Sequence, residues 1–240
     1  MGSKIKNRNE MKNTYLFFVL LILLGSIVSC DDDSEGLSTI TYYAEIMLEG
    51  GTTVTVPLGG SYSEPGYSAI ENSEDKTADV VVTDNIDPST IGLYEVSYSI
   101  ENSEGYETVA TRTVIVAVID PDAPASGVYN TDVVRTEADG TDPRPRSSSI
   151  VFMNEGNDVF YVGGLLGYYY ATGYGPAYAM NGRIKFHKDT NTFTLIESHV
   201  EGWGDGLEDF QNASYDPETG SLYWEAIYAG ADIFAVTCTK

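Results

Sequence analysis

The stretch "GYYYATGYGPAYAMNG", residues 167–182, sets five tyrosines among four glycines and a proline. A second stretch, "HVEGWGDGLEDFQN" at 199–212, places Trp203 between glycines. The C–H faces of sugar rings pack against aromatic planes, while sugar hydroxyls seek carboxylate, amide and backbone partners. An aromatic platform bordered by acids suits a neutral glycan, and Tyr168, Tyr169, Tyr170, Tyr174, Tyr178 and Trp203 are therefore the candidate ligand-binding set. The same residues admit a second reading. Tyrosines have apolar bodies and can plug one end of a β-domain while keeping their hydroxyls wet. Residue types alone leave both readings open.

Other chemistry is thinly represented. The chain has no P-loop, no dinucleotide fingerprint and no nucleophile elbow, and its two histidines, His187 and His199, lack metal-like spacing. "DGLED" supplies Asp205, Glu208 and Asp209, and "IDPD" supplies Asp120 and Asp122. Neither follows the alternation by which a calcium loop turns successive oxygens onto one ion. With so many carboxylates, some pair is bound to fall at the ~5–10 Å separation of a glycosidase acid and base, so that criterion selects nothing. No catalytic residue, metal ligand or cofactor is assigned, and the chain reads as a non-enzyme. Cys238, in "ADIFAVTCT", alternates in phase with Phe234 and Val236 and reads as a small core residue.

The first thirty residues speak to location. Basic residues precede the apolar run "YLFFVLLILL" (15–24), which is too short for a typical membrane-spanning helix and is followed by small residues. Residues 1–29 read as a signal peptide. The ending Ile27-Val28-Ser29-Cys30 resembles the lipobox of bacterial lipoproteins, which implies that Cys30 becomes the acylated N-terminus. The following "DDDSEG", within an acidic tether at 30–37, resembles the export signal of Bacteroidota lipoproteins sent to the outer face of the outer membrane. The resemblance implies a lipid-anchored protein facing the cell exterior.

Charge narrows the partners. The formal net charge is −23. Four bases (Lys4, Lys6, Arg8, Lys12) and one acid (Glu10) precede Cys30, so beyond it nine bases face 35 acids, or −26. Such a surface repels nucleic acid and anionic headgroups, leaving the lipid as the membrane contact.

The elements that must carry the aromatic segments are strands. No stretch after Cys30 sustains a helical period, and short alternating runs separated by turn residues predict an all-β protein. The Pro- and Ala-rich break "VIDPDAPASG" (118–127) separates residues 38–119 from 126–240, with 120–125 as linker. In the first domain "LYEVSYSIE" (93–101) alternates Tyr94, Val96, Tyr98 and Ile100 against polar residues. The spacing of Gly92 and Tyr94 matches a tyrosine corner. Together with Gly60, Tyr62, Glu64, Pro65 and Gly66, and the closing Val114 and Val116, this pattern resembles the immunoglobulin-like modules of bacterial surface proteins. The resemblance implies a sandwich that serves mainly as a spacer.

The second domain reads as an antiparallel meander of seven or eight strands, a barrel or a sandwich. Strand patterning fails at 163–182 and 199–212, the two aromatic segments. "LLGYYYATGYGPAYAMNG", "GWGDGLEDF" and "YDPETGSLYW" resemble the C-terminal domain of a lipoprotein family of gut Bacteroidota. That family pairs the domain with an immunoglobulin-like module and is often encoded beside glycan-uptake systems. The expectation is a surface lipoprotein that binds glycan without cleaving it, alongside a surface transporter complex. The alternative is a structural or protein-docking subunit whose tyrosines are core or partner interface.

Overall fold

The computed structural model describes residues 40–240. The expected signal peptide, Cys30, the acidic tether and the first two residues of the expected N-terminal domain lie outside the described residues. Tyr42–Lys240 form one compact unit.

The N-terminal part is an immunoglobulin-like pair of sheets. One sheet joins β1 (Glu45–Leu48), β3 (Tyr67–Glu71) and β4 (Glu74–Asp75). The other has the order β2 (Thr53–Pro57), β7 (Glu107–Ala117), β6 (Gly92–Glu101), β5 (Val81–Asp84), with β2 parallel to β7. Val96, Tyr98 and Ile100 of β6 are buried, as their alternation requires. The Tyr94 hydroxyl donates to the Thr90 carbonyl at 2.8 Å, closing the expected tyrosine corner. Arg112 is fully buried, and its Nη2 donates to the carbonyls of Glu49 (2.8 Å) and Gly66 (3.0 Å).

The C-terminal part is a closed eight-stranded antiparallel barrel. Its strands are β8 (Gly127–Thr136), β9 (Arg144–Gly156), β10 (Val159–Val162), β11 (Met180–His187), β12 (Thr192–Val200), β13 (Asp209–Asp216), β14 (Ser221–Tyr228) and β15 (Asp232–Thr239). Pairing of β15 with β8, Cys238 opposite Thr131, closes the ring and decides between barrel and sandwich. Alternate residues fill the interior: Tyr129, Phe152, Phe160, Phe186, Trp224, Phe234 and Cys238 are each at most 1% exposed. The Cys238 thiol is pushed up by this burial and stays protonated. Strand β13 extends back to Asp209, into a stretch whose pattern does not read as strand. A register shift between Gln211 and Ser214, with Asn212 at φ 55°, breaks the two-residue period there.

In an up-and-down barrel the connections alternate between ends. The β8–β9, β10–β11, β12–β13 and β14–β15 connections therefore share one end, and the chain from the immunoglobulin-like part arrives at the other. That junction is packed. Ile115 and Ala117 of β7 cluster with Met153 of β9, and the Val118 N–H donates to the Asn154 carbonyl at 3.0 Å. Ala123 is 6% exposed against the barrel core. Lys188 pairs with Asp120 at 2.6 Å and Asp158 at 3.4 Å, while Lys240 Nζ donates to the Ser126 carbonyl at 3.0 Å.

Candidate functional site

The 163–179 connection does two jobs in succession. After β10 the chain turns across the barrel end and inserts Leu165, Leu166 and Tyr169 into the core. The Leu165 N–H donates to the Met180 carbonyl at 2.6 Å, and its carbonyl accepts the buried Trp224 indole N–H at 2.7 Å. Gly182 is required beneath it: a Cβ there would lie 2.4 Å from Leu165 Cδ1 and 2.5 Å from the Glu197 carbonyl. Tyr169 packs edge-on to Phe234 at 5.3 Å.

One turn of helix, α1 (Ala171–Tyr174), and the 3-10 turn Pro176–Tyr178 then lift the chain onto the rim. Here Trp203, from the β12–β13 connection, is the hub. Its ring centroid lies 4.9 Å from Tyr178, 5.1 Å from Tyr170, 5.9 Å from Tyr174 and 6.1 Å from Tyr228, the last nearly parallel at 30°. The two connections are clasped by the Gly202 N–H donating to the Ala177 carbonyl at 2.8 Å. Gly202 also lies under the Tyr178 ring, 2.5 Å from where a Cβ would sit, so the close approach needs glycine.

Tyr170, Tyr174, Trp203 and Tyr228 line a cleft of about 580 Å³ with Asp205 and Glu208. The Tyr228 hydroxyl donates to Asp205 at 2.8 Å, and burial, then this bond, raises its pKa. Burial likewise raises that of Tyr170. Glu208 accepts the N–H groups of Gly230 (2.8 Å) and Ala231 (3.0 Å). These bonds hold a turn in which Ala229 (φ 60°) and Ala231 (φ 71°) adopt left-handed conformations that disfavour side chains by roughly 1–2 kcal/mol each. Trp203 is 43% and Tyr174 65% exposed, so aromatic planes meet solvent in a concave setting beside fixed carboxylates. That arrangement can take a flat ligand with hydroxyl edges.

The expected ligand set is thus divided. Tyr170, Tyr174 and Trp203 line the cleft, and Tyr178 buttresses Trp203. Tyr169 is not a platform residue: it is 5% exposed, in the core. Tyr168, at φ 62°, does not line the cleft and lies against Gly164. Sequence reading missed Tyr228, which sits inside a regular strand pattern. The signal available was its place as the last residue of β14, at the same barrel end as both aromatic segments. The acids of "DGLED" do not converge, since Asp209 caps the Phe210 N–H at 2.8 Å while Asp205 and Glu208 are held as above. No group of metal-ligating side chains occurs among the described residues.

A family model for a C-terminal domain matches residues 119–240, and one for the Ig-like domain of bacterial surface proteins matches residues 46–116. The crystal structure of the lipoprotein BT2262 from Bacteroides thetaiotaomicron is similar over 82% of this chain and 100% of that one, with 33% identity and a TM-score of 0.69. The chain belongs to this family of bacterial surface lipoproteins. Both halves of the fold are those of the family, with the immunoglobulin-like module leading and the barrel following. A structure of the second family-51 carbohydrate-binding module, with GlcNAc, and INT domains of Clostridium perfringens ZmpB shares 17% identity over 50% of this chain and 31% of that one. Its TM-score of 0.29 is too low to carry an argument. No curated protein matches.

Proposed function

We propose that this chain is a lipoprotein of the outer cell surface that captures glycan at the aromatic end of its barrel without cleaving it. One observation carries the reading. Trp203, Tyr170, Tyr174 and Tyr228 form a solvent-open aromatic cleft, bordered by Asp205 and Glu208, at the barrel end opposite the immunoglobulin-like module. A spacer that precedes the barrel in the chain and enters it at the end opposite the cleft suits a protein anchored through an N-terminal lipid. The acidic run Asp31 to Asp33 supports export to the outer face. A non-catalytic role is supported by the two cleft carboxylates: each is tied to protein donors rather than aimed free at the cleft. Partnership with a surface transporter complex belongs to the same reading.

The test is titration of the protein with a panel of polysaccharides, alongside Trp203→Ala, with a reducing-end assay on the same mixtures. Saturable binding lost in the variant, with no new reducing ends, is the expected result. Absence of binding to every member would remove the glycan reading, and released ends would remove the non-catalytic one. For the anchor, Cys30→Ala is expected to release the protein from membranes, and protease added to intact cells is expected to reach the wild type. The docking alternative draws on a different surface. Val81 and Val109, 59% and 51% exposed, flank Ser99 on the outer face of the β5–β6–β7 sheet. Co-purification with a transporter that survives Trp203→Ala but not Val109→Lys would favour it.

A further inference from the structure

We infer that the glycan taken at this end carries an oxyanion group, a carboxylate or a sulfate, seated on Arg146 with Arg144 and Arg135 beside it. The inference rests on the glycan reading above and supplies its substrate class. Tyr170 and Tyr174 have two sides. One lines the aromatic cleft; the other, with Tyr169, Gly173 and the three arginines, lines an adjoining cleft of about 400 Å³. From Cys30 onward only nine bases stand against 35 acids, yet three of the nine meet here.

Their placement runs against ordinary strand chemistry. Arg135 pairs directly with Arg144 across the β8–β9 hairpin, and Arg146 opposes Val133, two residues along. All three therefore occupy the face that deeper in the barrel carries Val133 and Ile150, at the mouth above the Tyr169 plug. Like charges opposite one another destabilise a hairpin. Arg135 is neutralised by Asp232, through Nε at 2.8 Å and through Nη2, and Arg144 by Asp142 in the same fashion. Arg146 has no carboxylate partner among the described residues. Its Nη1 instead donates to the Tyr169 carbonyl (2.9 Å) and to Thr172 Oγ1 (2.8 Å), and its guanidinium lies 4.4 Å from the Tyr169 ring centroid. The guanidinium is thus held in one orientation by neutral groups, with charge uncompensated and side chain exposed. A planar donor fixed in this way suits a carboxylate or sulfate. The shared wall gives the ligand a direction. A neutral unit packs on Trp203 with hydroxyls toward Asp205 and Glu208, and the charged unit lies across Tyr170 and Tyr174 on Arg146.

The test uses paired polymers: polygalacturonate against its fully methyl-esterified form, and dextran sulfate against dextran. The protein's own net negative charge works against non-specific polyanion binding. At least one anionic member is expected to bind about tenfold or more tighter than its neutral partner, the size of a charged hydrogen bond. Arg146→Gln is expected to collapse that ratio, Arg146→Lys to keep part of it, and the distant Arg183→Gln to leave it unchanged. Which pair shows the preference tells carboxylate from sulfate. If Arg146→Gln lowers the melting temperature, the exposed Arg144→Gln supplies the same ratio. Equal binding of charged and neutral members, or a preference untouched by both Gln variants, overturns the inference and leaves glycan binding standing. No binding to any of the four, or to other neutral polymers, overturns both.

Discussion

Tyr169 and Tyr170 are adjacent in sequence and belong to opposite regimes. Tyr169 ends a plug that begins at Leu165; it is 5% exposed and packs on Phe234. Tyr170 begins a rim that continues through Tyr174 and Tyr178 and faces Trp203. The tyrosine segment is therefore divided: its first half is buried in the plug and its second half stands on the rim. The boundary between them is a single peptide bond. Identical side chains acquire different roles because the first half is folded over the barrel end, while α1 and the turn after it carry the second half clear of it.

This contrast is open to direct attack. The largest expected effect is on the plug: Tyr169→Ala should destabilise the protein by ~3–5 kcal/mol, a buried aromatic replaced by a cavity. In a unit of this size that lowers the melting temperature by about 10 °C. Tyr174→Ala should lose less than ~1 kcal/mol by the same thermal melt. Equal shifts for the two would erase the division. Next comes ligand affinity: Trp203→Ala, at the hub of the rim, should weaken glycan binding by ~1–3 kcal/mol in titration calorimetry. Leu166→Ala, in the plug, should change affinity little in the molecules that remain folded.

A smaller effect is expected at the far end of the barrel. Lys188→Ala removes a half-exposed ion pair and should cost under ~1 kcal/mol, so residues 40–240 should still melt in one transition. Two resolved transitions would mean that the packing of Ile115, Ala117 and Met153 does not couple the two halves. The smallest effect concerns held phenols. Burial, then the bond to Glu225, pushes Tyr223 from its ordinary 10.0 up to about 12. The unfolded chain releases this proton first as pH rises, so the stability it contributes is fully present below pH 10.0 and lost toward about 12. Melts across that window should show a falling midpoint, with a shallower fall in Tyr223→Phe. An unchanged slope would mean that other groups govern the alkaline limit.

Much of the fold was legible because a strand announces itself by a period of two. Gly127–Thr136, Met180–His187 and Ser221–Tyr228 alternate cleanly along the chain, and the Gly92–Tyr94 spacing specified a corner whose hydroxyl bond is present. Strand β13 escaped because its bulge changes phase midway and because its apolar positions are few. The candidate site was half legible: Trp203 and Tyr174 stand out by composition, whereas Tyr228 and the three arginines hide in regular strand sequence. The arginines meet through the β8–β9 hairpin, but they and Tyr228 come beside the aromatic segments only when strand ends are counted around the ring.

The sequence by itself determined the all-β class, the immunoglobulin-like module, the strongly negative net charge and the clustering of aromatic residues in two connections. These depend on composition and on neighbours a few residues apart. Closure of the barrel, the division of five tyrosines between core and rim, and the meeting of Arg135, Arg144 and Arg146 beside Tyr170 were decided only by tertiary structure. Each is set by which strand ends share a side of the ring, and by which rings the plug leaves room to bury.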